Sequence, residues 1–87
     1  MKEIIIDECI YSVELMDRLL QEGLNVKYLG YGKQDIDIER YVLRNECLLV
    51  TADTEFDTHF GWNTSLLIKS SDKLADKVKL IKSFSDG

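Results

Sequence analysis

Short apolar runs alternate with longer amphipathic segments along this chain. The runs "III" and "LLV" show no alternation of apolar and polar residues, and β-branched or leucine side chains dominate them. Such runs are typical of strands that are covered on both faces, as in a parallel sheet. We predict four strands, at residues 4–6, 25–29, 47–50 and 65–69.

The segments between the first three strands carry apolar residues at helical spacing. The first helix is expected to begin after Ser12, a favourable N-cap residue, and to end near Gly23. The second is expected at residues 35–45, with either Asp35 or Asp37 at its start. Each of these helices therefore connects two predicted strands.

The last part of the chain predicts a further strand and helix. An acid-rich connection follows the third strand and is expected to contain a short helix through Phe56 and Phe60. Asp72 is a candidate N-cap for a final helix whose apolar face consists of Leu74, Val78, Ile81 and Phe84. Alternating strands and helices predict an α/β fold, a three-layer Rossmann-like sandwich with a four-stranded parallel sheet flanked by helices.

Length and composition indicate a globular protein. The 87 residues are enough for a single domain, residues 1–87, and 45% of them are hydrophobic. No apolar run approaches the roughly 20 residues that span a bilayer, so a cytoplasmic location is expected. Cys9 and Cys47 lack a CxxC spacing, which favours buried apolar thiols over a redox pair or a metal site.

The net charge of −5 argues against a surface for unselective capture of nucleic acid. A nuclease remains compatible with this charge, because divalent cations neutralise carboxylates that share a site. The positions of the acids are therefore more informative than their number.

Two predicted strands end in acids, in the stretches "IIIDE" and "LLVTADTEFD". The carboxyl ends of parallel strands meet at one edge of the sheet, where α/β proteins bind ligands, so Asp7 and Asp53 are expected near each other. Carboxylates that lie close together repel one another unless a cation separates them. Mg²⁺ or Mn²⁺ suits these oxygen ligands and supports phosphodiester hydrolysis. In the competing interpretation, Asp53, Glu55 and Asp57 only cap a short helix.

The stretch "DIDIERYVLRNECLLVTAD" resembles PIN-domain ribonucleases, in which an Asp opens a helix and a Leu-Val-Thr-x-Asp segment ends a strand. With "IIIDE" before it and "TADTEFD" at its end, residues 3–69 resemble compact PIN-like proteins related to VapC-type toxins. The resemblance implies four acids as metal ligands and catalytic residues: Asp7, Asp35, Asp53 and Asp57. Asp37 replaces Asp35 if the helix begins later. Thr51 is expected to orient Asp53 or a metal-activated water.

The resemblance implies a Mg²⁺- or Mn²⁺-dependent endoribonuclease, the toxin of a toxin–antitoxin pair, with RNA as its substrate. It also implies an antitoxin protein partner and homodimerisation. Several other side chains are weaker candidates for contacts with RNA: Lys33, Arg40, Arg44, His59 and Lys69 for phosphates, and Tyr11, Tyr31 and Trp62 for bases. Solvated helix faces and core packing are the commoner roles of such residues.

Two alternatives stay open. Larger PIN domains carry a further acid on a helical hairpin that this chain lacks, and Glu14 follows the first strand too closely to replace it. A non-catalytic PIN-like binding subunit is therefore the main competitor. A phosphoacceptor receiver domain also has acids after its first and third strands, but it needs a later strand-end Lys, and Lys69 follows the wrong strand.

Overall fold

The computed structural model of the chain describes residues 2–30, 35–53, 64–69 and 71–86, and the backbone alone at residue 35. The elements in these residues are the strands β1 (Ile4–Ile6), β2 (Val26–Lys27), β3 (Leu48–Thr51) and β4 (Ser65–Leu67), and the helices α1 (Val13–Gln21), α2 (Asp35–Asn45) and α3 (Leu74–Asp86). A short 3-10 helix, Glu8–Ile10, follows β1. The predicted helix through Phe56 and Phe60 lies outside the described residues.

The four strands form one sheet in the order β2-β1-β3-β4, and every neighbouring pair is parallel. Ile4 of β1 pairs with Val26 on one side and with Leu48 on the other. The chain therefore moves outward from β1 to β2 and then returns across β1 to β3. In open α/β sheets this reversal between two neighbouring strands creates a crevice at their carboxyl ends.

Helices cover both faces of the sheet, which confirms the α/β sandwich. On one face α1 and α3 pack against β1 and β3 through a cluster that includes Ile4, Ile6, Leu15, Leu19, Val50 and Ile81. On the other face α2 packs through Ile38 and Val42 against Ile5 and Leu49. No helix in the described ranges has the length and apolar character needed to cross a membrane.

The ends of α1 follow the sequence prediction. The Ser12 hydroxyl accepts a hydrogen bond from the Leu15 backbone N–H at 3.1 Å, as expected of an N-cap. Gly23 follows the helix with a φ of 79°, in the left-handed region that favours glycine. The prediction for Asp72 is wrong, because α3 begins two residues later and the Asp72 carboxylate accepts from the Lys69 backbone N–H at 3.3 Å.

Strand β3 begins one residue later than predicted. The Cys47 backbone N–H donates to the Val42 carbonyl at 3.0 Å and so closes the end of α2 instead of starting the strand. Glu46 lies between the last residue of α2 and Cys47, and its φ of 53° permits this tight turn out of the helix. At its other end β3 extends to Thr51, which pairs with Leu67 of β4.

A polar network joins α2 to the sheet at the amino ends of the strands. The Tyr41 hydroxyl donates to Glu3 Oε1 at 2.7 Å and accepts from Lys27 Nζ at 3.2 Å. The same ammonium lies 5.1 Å from the centre of the Tyr41 ring. Cys47 is buried beside this network, and burial together with the Glu3 carboxylate raises the pKa of its thiol to about 11.

Candidate metal site at the carboxyl edge of the sheet

We call the side of the sheet where the strands end the carboxyl edge. Asp7 follows β1 at this edge, and its backbone N–H donates to the Val50 carbonyl at 2.9 Å, which extends the pairing of β1 with β3. The residue is only 8% exposed. Its Oδ1 accepts from the Glu8 backbone N–H at 2.8 Å, so the carboxylate also caps the short 3-10 helix.

Thr51 holds the Asp7 carboxylate from the neighbouring strand. Its hydroxyl donates to Asp7 Oδ2 at 2.6 Å and accepts from the Asp53 backbone N–H at 3.0 Å. The side chain is fully buried, at 0% exposure. We expected Thr51 to orient Asp53 or a water. Among the described residues its hydroxyl contacts the Asp53 backbone and also the Asp7 carboxylate, a contact that the sequence did not predict.

Cys9 contributes a contact that the sequence did not predict. Its thiol donates to Asp7 Oδ2 at 3.2 Å and accepts from the Ala52 backbone N–H at 3.2 Å. Burial of the sulfur, the hydrogen bond to Asp7 and the charge of that carboxylate raise the pKa of the thiol. The residue as a whole is exposed, so the prediction of a buried apolar thiol is wrong for Cys9 and confirmed for Cys47. A Cys two residues after a strand-end Asp was the only signal in the sequence.

The other three predicted acids are placed as follows. Asp53 is exposed, two residues after Thr51 at the carboxyl edge. Asp35 is the first residue of α2, which begins at the same edge because it runs back from the end of β2 to the start of β3, and its side chain is outside the described structure. The alternative ligand Asp37 is exposed in the first turn of that helix. Asp57 lies outside the described residues.

The carboxylate oxygens of Asp7 are ligands of the kind that a hard divalent cation prefers. A carboxylate has about four lone-pair positions, and the described residues fill three of them, one on Oδ1 and two on Oδ2. Among the described residues, nothing occupies the remaining position on Oδ1, which suits a cation. The described part of the chain contains no group of three His, Cys, Asp or Glu side chains arranged around a single ion. A site with three or more ligands at this edge would therefore need side chains beyond the described ones, such as those of the predicted ligands Asp35 and Asp57.

Among the weaker candidates, only some lie near this edge. Lys69 is exposed just after β4, at the carboxyl edge. Arg40 and Arg44 are exposed on α2, but they lie in its middle and last turns, towards the amino ends of the strands. Lys33, His59, Tyr31 and Trp62 lie outside the described residues.

Tyr11 has a partner that the sequence analysis missed. Its ring stacks on that of Tyr28, with 3.7 Å between ring centroids and 12° between ring planes. Tyr28 follows β2 and Tyr11 follows the 3-10 helix after β1, so the pair also lies at the carboxyl edge. Since these residues come from two different strand ends, only the strand order could have predicted the contact.

Comparisons with protein-family models, curated protein sequences and solved structures found no match to this chain.

Proposed function

We propose that this chain is a PIN-like, Mg²⁺- or Mn²⁺-dependent endoribonuclease that acts in the cytoplasm as the toxin of a toxin–antitoxin pair. The main support is the meeting of Asp7 and the Thr51–Asp53 segment at the ends of the two central strands, where the strand order reverses. A buried carboxylate and an exposed one thus lie on neighbouring strand ends, in the region where α/β sheets bind ligands.

The described side chains prepare this edge for a cation and a phosphate. Three hydrogen bonds fix the Asp7 carboxylate, so it needs little reorganisation when a ligand binds. Asp53 is accessible to solvent beside it. A bound Mg²⁺ or Mn²⁺ would supply activation of a water and stabilisation of the charge that develops on the phosphate. The positive dipole ends of α1 and α2 also lie at this edge and favour an anion there.

The acid cluster also suggests how the proposed toxin is inhibited. In the proposed pair, the antitoxin covers the carboxyl edge with a cationic segment that replaces the metal as the neutralising charge. The acidic balance of the chain, −5, favours a basic segment over an acidic one. Homodimerisation remains part of the proposal through the family resemblance alone.

A cleavage assay with two matched variants tests the nuclease proposal. Asp53→Asn removes an acid of the site, and Asp86→Asn removes one at the end of α3, at the opposite edge of the sheet. We expect the wild type and Asp86→Asn to cleave a mixed RNA pool with Mn²⁺ or Mg²⁺ and not with EDTA. Asp53→Asn should cleave more than about 100-fold more slowly. Replacing a residue that only supports a metal ligand already lowers metal affinity or activity by about 10–100-fold. Equal cleavage by Asp53→Asn would contradict the proposal.

A non-catalytic PIN-like binding subunit is the second candidate. It is favoured by the internal hydrogen bonds of Asp7, because Glu8, Cys9 and Thr51 stabilise this carboxylate without a cation. The Asp7 carboxylate would therefore keep the same hydrogen bonds if its role were only structural. Binding of Mn²⁺ with no cleavage of any RNA in the pool would favour this candidate over the enzyme.

A further inference from the structure

We propose that the stacked pair of Tyr11 and Tyr28 is a platform for one base of a single-stranded RNA. This inference rests on the proposed function, because it assumes that an RNA strand lies along the carboxyl edge. It goes further by assigning the base contact to a site formed by the ends of two neighbouring strands, β1 and β2.

The stacked pair is partly exposed to solvent. With 3.7 Å between centroids and 12° between planes, each ring covers one face of the other. Tyr11 is nevertheless 37% exposed, and since Tyr28 covers one face of its ring, the exposed part lies elsewhere on the residue. Tyr28 is half-buried and is therefore the more enclosed ring of the pair. A base that stacks on Tyr11 would form the third layer.

The platform lies next to the candidate metal site. Tyr11 directly follows the 3-10 helix Glu8–Ile10, and Asp7 is the residue that caps the start of that helix. A 3-10 helix rises about 2 Å per residue, and Tyr11 is four residues after Asp7, so the two lie roughly 8 Å apart along the helix axis. One RNA strand can therefore present a phosphate to the acids and a nearby base to Tyr11.

The negative charge of the protein makes a contact with RNA bases more important than one with the RNA backbone. At −5, the chain has no general attraction for the RNA backbone. Base–aromatic stacking does not depend on net charge, and every base offers a ring face, so it is a contact that an acidic protein can make with RNA of any sequence. We therefore expect a binding preference for strands that carry bases, with little preference for which base.

Fluorescence anisotropy with a labelled oligoadenylate strand tests the platform in the presence of EDTA. We expect Tyr11→Leu to bind about 5- to 150-fold more weakly than the wild type, the equivalent of about 1–3 kcal/mol per stacked base. Tyr11→Phe keeps the ring and should retain the affinity. The loss in Tyr11→Leu should persist at higher salt, because stacking is not an ionic contact.

A second probe leaves the protein unchanged. A ribose-phosphate strand of the same length without bases should bind the wild type as weakly as oligoadenylate binds Tyr11→Leu. Equal affinity of the wild type for both strands, equal affinity of the wild type and Tyr11→Leu for oligoadenylate, or no binding of oligoadenylate by the wild type would each overturn the platform. These assays need neither metal nor turnover, so a failure of the nuclease proposal in the cleavage assay remains distinguishable.

Discussion

Replacing Thr51 with Val removes a hydroxyl from the centre of the candidate site and keeps the shape of the side chain. Thr51 is fully buried, and its hydroxyl makes the 2.6 Å hydrogen bond to the Asp7 carboxylate. A hydrogen bond to a charged group contributes about 1.5–3 kcal/mol. The Asp53 backbone N–H loses its acceptor as well, in a partly buried position, which adds to the cost.

We therefore expect Thr51→Val to lower the free energy of unfolding by about 2–3 kcal/mol. A chain of 87 residues has a total stability of about 4–13 kcal/mol, so the loss is large. The melting temperature should fall by about 8–24 °C, at about 4–8 °C per kcal/mol for a domain of this size. Urea unfolding followed by circular dichroism measures the change, with an unchanged m-value as the sign that only stability differs.

Thr51→Ser is the matched control, because it keeps the hydroxyl and removes one methyl group. It should cost only about 1 kcal/mol, the value for a small loss of buried apolar volume. If Thr51→Val is as stable as the wild type, or more stable than Thr51→Ser, the hydrogen bond to Asp7 does not stabilise the fold.

A double-mutant cycle with Cys9→Ala extends this test. The Cys9 thiol and the Thr51 hydroxyl both donate to Asp7 Oδ2. Either single substitution leaves one of these two donors to this oxygen, and the double substitution leaves neither. The double variant should therefore lose more stability than the two single variants added together. We expect a coupling of about 0.5–1 kcal/mol or more between the two positions. Strict additivity would show that the two donors act independently.

Three further predictions concern the framework. Ser12→Ala should lower stability by about 1 kcal/mol in urea unfolding, because the Leu15 N–H loses its cap, and Ser12→Asp should largely retain stability. Glu46→Gly should raise the melting temperature, by the equivalent of about 0.5–1 kcal/mol, since Glu46 has a φ of 53°; a lower melting temperature would contradict this. The Cys47 thiol has its pKa raised to about 11 from 9.0, so the folded state holds this proton more tightly than the unfolded state. Its contribution to stability should be complete below about pH 9 and lost as pH rises to about 11, and Cys47→Ala should flatten that part of the stability–pH profile.

Much of the framework could be predicted from local sequence patterns. The bounds of β1 and α2 agree with the sequence prediction, because the isoleucine run and the helical spacing of Ile38 and Val42 are strong local signals. The Ser12 cap is equally local. Strand β2 is shorter than predicted, with only Val26–Lys27 in the ladder, because strand length depends on pairing with β1.

The contacts of the candidate site depend on register, which no local pattern contains. Asp7 meets Thr51 because Ile6 pairs with Val50 in the parallel ladder of β1 and β3. From the sequence alone, Thr51 was expected to orient Asp53 or a metal-activated water, and it was not related to Asp7. The exposure of Cys9 follows from the 3-10 helix after β1, a turn that the apolar pattern did not predict.

Isothermal titration of Mn²⁺ into the wild type and into Asp53→Asn tests whether the acids at the carboxyl edge bind a metal, with Asp86→Asn as the control of equal charge change. We expect the wild type and Asp86→Asn to bind Mn²⁺, and Asp53→Asn to bind it at least about 10-fold more weakly. If the three proteins bind Mn²⁺ equally, or if none of them binds it, the acids at the carboxyl edge are not a metal site. Asp53 would then only charge the segment that follows β3.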